Sequence, residues 1–505
     1  MKYLKNSYIL TAISAAILAI CFFPINVILK TLVPYFIFIP IFYILNKTDS
    51  RRDFFLVGFT FGLILFTILL YWMFLLNIEG VNIAIIRFGV FLLILFIAIQ
   101  YGIGFVIFGL IKRKYGKVWP FLLIFPLTEF WRGLGPSFGF QWGIIPLTQS
   151  QFPFFIQYAD LIGVYGVTFV ILFVNYLIYK FLETRKYGYV YSLAVVIVTI
   201  TLYGFLSTDF HKGENTISVG IIQPNISPYI KHRSDYITER FNRLEGMTKE
   251  IADSDLNLVV WPETASPVYL NYRTDIMKRL FKFIDSIKVP ILTGTPIVDF
   301  ARKGPVRYYN GAMLLYPGDS SEIYRKMLPV PFVERMPYAD KFQFLRKIDL
   351  GEGDYSVGPE YTVFKERETK FSVIICFESM FENLSREFVK RDAQFLINIT
   401  EDAWFGKTFF SYMHTSFLPI RAIENRRTIV RCANTGISGK IDQWGNMEHE
   451  TKIFTKATLC AKIDILNEKT FYNKYGFYFP EFLLLILLIY LFYPVFRRLY
   501  ESRKH

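Results

Sequence analysis

Phe371-Ser372-Val373-Ile374-Ile375-Cys376-Phe377-Glu378-Ser379 is a run of strand-forming residues that delivers a thiol to its end, with a carboxylate two positions on. Met380, Phe381, Leu384 and Phe388 follow at amphipathic spacing, so the stretch reads as a buried β-strand, a turn and a segment with one apolar face. A strand end of this kind can hold a nucleophile rigidly and still expose it. Taken alone, a cysteine among valine and isoleucine is a small core hydrophobe, and what Cys376 does depends on its company.

Working outward, residues 207–476 have the composition of a soluble domain. Short β-rich runs at Ile217–Gln223, Leu256–Trp261, Val289–Gly294, Gly311–Tyr316, Phe371–Phe377, Phe395–Ile399 and Thr428–Cys432 alternate with helical patterns. Ile237, Phe241, Leu244, Thr248 and Ile251 form one such pattern, and Met277, Leu280, Phe281 and Ile284 another. These predict a layered α/β domain with a single core.

The flanks are different in kind. The chain of 505 residues is 53% hydrophobic and 18% aromatic, too apolar for an ordinary soluble protein. Residues 1–206 hold apolar runs at about 8–28, 32–45, 54–76, 83–111, 118–131, 161–180 and 189–206, which predict a bundle of seven transmembrane helices. The first run is read as an uncleaved helix because further spans follow it. An eighth span is expected at 477–496, with a basic tail at 497–505.

Of the formal charge of +14, residues 207–476 contribute little, with 37 basic against 34 acidic side chains. The excess lies beside the apolar runs, which points to membrane topology and away from nucleic acid. Lys47, Arg51 and Arg52, then Lys112, Arg113, Lys114 and Lys117, then Arg185 and Lys186 follow every second span. With Lys2 and Lys5 they place the N-terminus in the cytoplasm. An odd number of spans carries residues 207–476 to the far side, and the tail, with Arg497, Arg498, Arg503 and Lys504, returns to the cytoplasm.

Three strand ends offer chemistry. Pro262 stops the run Leu258–Trp261 and sets Glu263 above the sheet edge; Tyr324-Arg325-Lys326 opens the loop MLPVPFVERMP; Cys376 is the third. A thiol needs a base to be useful at neutral pH, and a carboxylate beside apolar Trp261 and Pro262 has the raised affinity for protons a base requires. A nearby ammonium favours the thiolate and can hold an oxyanion. A Cys-His arrangement competes, with His211, His232, His414 and His449 in the domain and His414 in a loop that could approach the site. Cys432 and Cys460 read as two core thiols rather than a disulfide, and no cysteine spacing calls for a metal.

Glu263, Lys326 and Cys376, in the contexts WPE, YRK and ICFES, followed by QFLINITEDAWFG at residues 394–406, resemble in order the signatures of the nitrilase superfamily. The membrane half makes the chain similar to that superfamily's membrane-embedded branch, the apolipoprotein N-acyltransferases. Glu129-Phe130-Trp131-Arg132-Gly133, Phe140-Gln141-Trp142, Thr148-Gln149-Ser150 and Gly163-Val164-Tyr165-Gly166 carry that part of the likeness.

The resemblance implies a nitrilase-like α-β-β-α sandwich between the seven-helix bundle and the last helix, in a bacterial inner membrane. It implies Cys376 as nucleophile, Glu263 as general base and Lys326 as oxyanion stabiliser, with Glu334 and Glu378 supporting them. The partners would be a phospholipid acyl donor, a diacylglyceryl apolipoprotein acceptor and the bilayer itself, with no cofactor. Family usage departs at Phe377, where tyrosine is common, at Gln141, where proline is, and at Glu401, where asparagine is.

Physical reading of the loops agrees with a lipid substrate. Met327, Leu328, Val330 and Phe332 in one segment, and Trp404, Phe405, Phe409, Phe410, Tyr412 and Met413 in another, are expected as exposed apolar groups that dip into the bilayer and gate acyl chains. Glu129 and Arg132, three apart, are placed to pair on one helix face. Two other functions fit less of the sequence. A membrane-anchored amidase would not need the apolar approach, and a transporter or scaffold would leave the three reactive residues unused.

Overall fold

The computed structural model describes residues 2–502 except 78–80, 136–138, 210–212, 214, 228–233, 253–254, 301–304, 339–340 and 343–353. His211 and His232, and the side chains of Lys2, Lys5, Arg497, Arg498, Arg503 and Lys504, lie outside what is described.

Apolar runs become helices because a backbone in lipid must satisfy its own hydrogen bonds. Helices occupy Lys2–Ile20, Arg51–Leu69, Ile83–Tyr115, Phe121–Gly133, Ala159–Thr184, Gly188–Asp209 and Tyr478–Ser502. The second run, expected at 32–45, is broken near Pro34 into a 3-10 turn at Val33–Tyr35 and a helix at Ile39–Lys47, and a further short helix, Val27–Leu32, precedes it. Among the described residues, five stretches are long and apolar enough to cross a bilayer: Val27–Lys47, Arg51–Leu69, Ile83–Tyr115, Ala159–Thr184 and Gly188–Thr208. Asn6–Ile20 and Tyr478–Pro494 are apolar but shorter. Helices 51–69 and 83–115 pack through glycines; a Cβ at Gly109 would lie 2.2 Å from the Phe54 ring, so only glycine permits the approach.

Among the described residues the domain contains twelve strands: β1 Asn215–Gln223, β2 Leu258–Val260, β3 Ile291–Asp299, β4 Arg307–Tyr316, β5 Ser320–Arg325, β6 Phe364–Glu366, β7 Thr369–Ile375, β8 Phe395–Thr400, β9 Ile429–Ala433, β10 Gly439–Ile441, β11 Met447–Glu448 and β12 Ala457–Ile465. They form two six-stranded sheets, ordered β12-β1-β2-β3-β4-β5 and β11-β10-β9-β8-β7-β6. β1, β2 and β3 run parallel in the first, and β7, β8 and β9 in the second.

Side chains alternate as the pleat demands. Val219, Ile221, Leu258, Val260, Leu292 and Leu314 enter the core shared with the second sheet. Ile222, Val259, Ile291, Met313 and Leu315 face Phe241, Leu244, Leu280 and Ile284 of helices Ser234–Ile251 and Thr274–Ile287. Glu382–Lys390 and Phe417–Asn425 lie on the other sheet, completing an α-β-β-α sandwich.

Buried polar contacts fasten the sandwich to the membrane helices. Gly163 (φ 67, ψ −177) breaks helix 159–184, and the Glu424 carboxylate accepts the Val164 N–H at 2.9 Å just beyond the break. Arg426 makes two bonds to Asp160, at 2.7 and 3.0 Å, and Tyr165 donates to Glu382 at 2.9 Å. The expected Glu129–Arg132 pair does not form. Glu129 accepts from the Ile145 N–H and the Thr168 hydroxyl, while the Arg132 guanidinium stacks on Phe66 and Tyr101 and has no hydrogen-bond partner among the described residues.

Candidate active site

The parallel strands β2, β7 and β8 end at the same edge of the sandwich, where α/β folds gather their reactive groups. β2 ends at Val260. Trp261 is fully buried and anchored through its indole N–H to Thr248, at 3.0 Å, so Pro262 and Glu263 leave the sheet from a fixed point. Strand β3 crosses beneath: a Cβ at Gly294 would lie 2.6 Å from the Glu263 Cα, which is why glycine stands there.

Glu263 is buried with both oxygens engaged. Asn310 Nδ2 donates to Oε1 at 2.8 Å and the Glu401 N–H to Oε2 at 2.9 Å. Lys326 follows the last residue of β5, so Tyr324 and Arg325 lie in a strand rather than in the expected loop. Its Nζ stands 2.9 Å from Glu334 Oε2 and 3.6 Å from Glu263 Oε1. Burial alone would pull this ammonium down, but Glu334 and Glu263 overcome it and hold it above the usual lysine range. Asn310 also donates to Glu334 at 2.7 Å, so one amide ties the two carboxylates together.

Cys376 follows β7 and opens a 3-10 turn, Cys376–Met380, with its backbone in the left-handed region at φ 50. Burial pushes its thiol well up and Glu263 adds to the rise, while Lys326 and a hydrogen bond with Thr400 oppose it. The resting group is therefore a thiol beside a carboxylate and a charged lysine. Glu378 is fully buried and ties two segments: it accepts from the Ile375 N–H at 2.8 Å, the Met327 N–H at 2.7 Å and the Tyr324 hydroxyl at 2.8 Å. Its burial raises it to about 7, against the pull of Lys326.

His414 does approach the site, but its partner is the backbone of Cys376. Its Nε2 is 3.1 Å from the Cys376 carbonyl oxygen and 3.2 Å from Ser379 Oγ, and its Nδ1 is 3.0 Å from Asp402. Burial lowers the imidazole, and burial of Asp402 is overcome by Arg431 and His414, which draw that carboxyl down to about 2. Asn310, Thr400 and Arg431 were not anticipated; a buried asparagine one residue before Gly311 on a strand, and an arginine inside a strand, are the signals the sequence offered.

The aromatic loops differ from expectation. Phe332 is exposed in a turn at φ 67, and Trp404 is half-buried. Phe409, Phe410 and Met413 are buried, however, because membrane-half rings cover them: Phe409 stacks on Phe23 at 4.0 Å, and Phe410 meets Trp72 at 4.7 Å and Trp142 at 5.3 Å. Phe405 bridges Phe410 and Trp72. Cys432 is a core thiol as expected, donating to the Ile222 carbonyl, but Cys460 is exposed on β12 and no disulfide joins them.

Comparison with known proteins accounts for both halves. The sequence matches the carbon-nitrogen hydrolase family over residues 218–467 and the apolipoprotein N-acyltransferase N-terminal domain over 14–177. It is 31% identical to the apolipoprotein N-acyltransferase of Geobacter metallireducens over 491 residues, covering 94% of this chain and 92% of that one. It is 32% identical to the apolipoprotein N-acyltransferase of Chlorobaculum tepidum over 375 residues, 68% and 70% of the two chains. Among solved structures, an amidase from Nesterenkonia sp. superposes on 51% of this chain and 92% of its own, with 15% identity and a TM-score of 0.39. The chain belongs to the apolipoprotein N-acyltransferase family.

Proposed function

We propose that the protein moves a fatty acyl chain from a membrane phospholipid to the N-terminal amine of a diacylglyceryl apolipoprotein, through a thioester on Cys376. The observation that carries this reading is the buried Glu263–Asn310–Glu334–Lys326 network beside Cys376, on the edge of the sandwich whose aromatic loops interlock with membrane helices. A small-amide hydrolase has no use for that apolar junction.

In the first half-reaction Cys376 Sγ attacks the ester carbonyl carbon as its proton passes to Glu263, and Lys326 stabilises the negative oxygen that develops. The intermediate collapses, the ester C–O bond breaks and Glu263 returns the proton to the lysophospholipid oxygen. In the second, the neutral amine attacks the thioester, Glu263 takes the amine proton, and the C–S bond breaks as the thiol is reprotonated. Glu334 keeps Lys326 charged throughout, and Glu378 holds the loop that carries it against β7.

The division into residues 1–206, 207–476, 477–496 and 497–505, with seven spans and a final one, puts the site outside the cytoplasm, where exported lipoproteins are met. Alternating loop charge supports that sidedness. The test supplies the detergent-solubilised protein with phospholipid and a synthetic diacylglyceryl lipopeptide. The lipopeptide should gain one acyl mass while lysophospholipid appears in equal amount, and Cys376→Ala should give neither. Acyl transfer surviving in Cys376→Ala would refute the assignment.

A further inference from the structure

Glu401, the residue after β8, is buried and meets Glu263 through its backbone: its N–H donates to Glu263 Oε2 at 2.9 Å. Its own carboxyl is engaged elsewhere. Oε1 accepts from the Ala403 N–H at 2.9 Å, and Oε2 accepts from Asn434 Nδ2 at 2.6 Å. The first bond closes the turn 401–403 on itself, and the second ties that turn to the residue after β9.

Asn434 cannot turn to suit a different partner. Its Oδ1 accepts from the Ile226 N–H at 2.9 Å while its Nδ2 also donates to the Ile226 carbonyl at 2.6 Å. The amide is therefore pinned in one orientation and always shows Glu401 a donor. Two donors, the Ala403 N–H and the Asn434 amide, converge on one side chain. A carboxyl meets both with or without a proton, because each position is an oxygen, whereas an amide side chain offers one acceptor only.

Glu263 depends on the peptide so fixed. Thr264, next in the chain, is a β-branched residue at φ 53, and Arg240 Nη1 holds its carbonyl at 2.7 Å. Asn310 fixes Oε1, so the Glu401 N–H sets the other oxygen and with it the plane of the carboxylate. Proton transfer between fixed groups is sensitive to that plane.

We propose that Glu401 is a positioning residue for the general base: by accepting from Ala403 and Asn434 together it fixes the N–H that orients Glu263, and it acts on acyl transfer only through that carboxylate. The role rests on Glu263 taking the Cys376 proton during acyl transfer.

The test follows acylation of Cys376 in the detergent-solubilised protein by quenched intact mass over a range of phospholipid concentrations. Wild type is compared with Glu401→Gln, Glu401→Asn, Glu263→Gln and the double variant Glu263→Gln/Glu401→Gln. Glutamine keeps the length of the side chain but turns an amide nitrogen on one of the two donors. It should lower the limiting acylation rate about tenfold and leave the half-saturating phospholipid concentration unchanged. Asparagine is one methylene shorter, still accepts from the N–H two residues on and withdraws from Asn434, so the rate should recover to within about threefold of wild type. In the Glu263→Gln background, Glu401→Gln should change the rate by less than about twofold. An equal loss in both backgrounds would leave Glu401 a structural residue and overturn the proposal. A wild-type rate in Glu401→Gln, or a loss of phospholipid affinity alone, would overturn it too. A wild type that forms no thioester would instead sink the acyl-transfer reading, and this role with it.

Discussion

Replacing Glu263 by glutamine should make Cys376 easier to alkylate and the enzyme worse at acyl transfer. The two effects part because Glu263 raises the thiol electrostatically while serving as its base in the reaction. Removing a neighbouring negative charge shifts a titration by about 1–2 units, so the pH midpoint for iodoacetamide modification should fall by that much. At a fixed neutral pH alkylation then runs roughly tenfold to hundredfold faster, while loss of a positioned base slows transfer by about 10²–10⁴-fold. The fold should survive, since Lys326 keeps Glu334 at 2.9 Å. The reverse perturbation is Lys326→Met combined with Glu334→Gln, which removes both members of the charge pair at 2.9 Å and leaves Glu263 its hydrogen bonds from Asn310 and the Glu401 N–H. It should raise the alkylation midpoint, because Lys326 opposes the rise. Both shifts are read from alkylation rates of variant and wild type at matched pH, where the thiolate fraction sets the rate. If glutamine at 263 slows alkylation and transfer together, Glu263 is not a charge that opposes the thiolate, and the resting state drawn above is wrong.

Three further outcomes follow from the geometry. His414→Ala removes a buried hydrogen bond to the Cys376 carbonyl, worth ~1–3 kcal/mol, and should lower kcat about tenfold while leaving the alkylation midpoint within half a unit; a large shift of that midpoint would restore a Cys-His reading. Glu401 is raised by burial to about 8 and Glu378 to about 7. The folded state thus keeps protons that the unfolded chain has lost above about pH 4.5, and stability falls as pH rises from there through 7–8. Glu401→Gln should remove part of that fall, so its Tm should gain on wild type between pH 5 and 8 in thermal unfolding followed by circular dichroism; parallel Tm curves would show Glu401 ionised throughout. Gly163→Ala puts a Cβ 2.6 Å from the Tyr472 ring at a left-handed position, costing about 1–3 kcal/mol. It should loosen the domain from helix 159–184, seen as faster proteolysis at 207–214 with an unchanged sheet signal.

The sandwich was readable where strands are apolar on both faces. The seven expected runs all coincide with strands; six are the parallel strands β1–β3 and β7–β9, whose buried faces keep them continuously apolar, and the seventh is antiparallel β4, apolar through Met313, Leu314 and Leu315. β5, β6, β10, β11 and β12 escaped notice because they alternate with polar residues or are too short to pattern, as Ser320-Ser321-Glu322-Ile323-Tyr324-Arg325 shows. The three reactive strand ends were legible from the residue types a thiol acyl transfer requires. Asn310 was not, because a single amide joining two carboxylates depends on two loops meeting above β4, and sequence spacing carries no such distance. Phe409 and Phe410 read as exposed because the rings that cover them, Phe23 and Trp72, lie in turns of the membrane half more than 300 residues away in the chain. Glu129 and Arg132 have the spacing of a helix pair, but the Ile145 N–H and Thr168 satisfy the carboxylate first.

The central claim is a covalent acyl chain on Cys376. Intact mass of the purified protein after incubation with phospholipid, beside Cys376→Ala and Glu263→Ala, tests it most directly. The account predicts one fatty-acyl addition to wild type, released by hydroxylamine and missing from both variants. A folded wild-type protein that stays unmodified, or an addition that persists in Cys376→Ala, would contradict it.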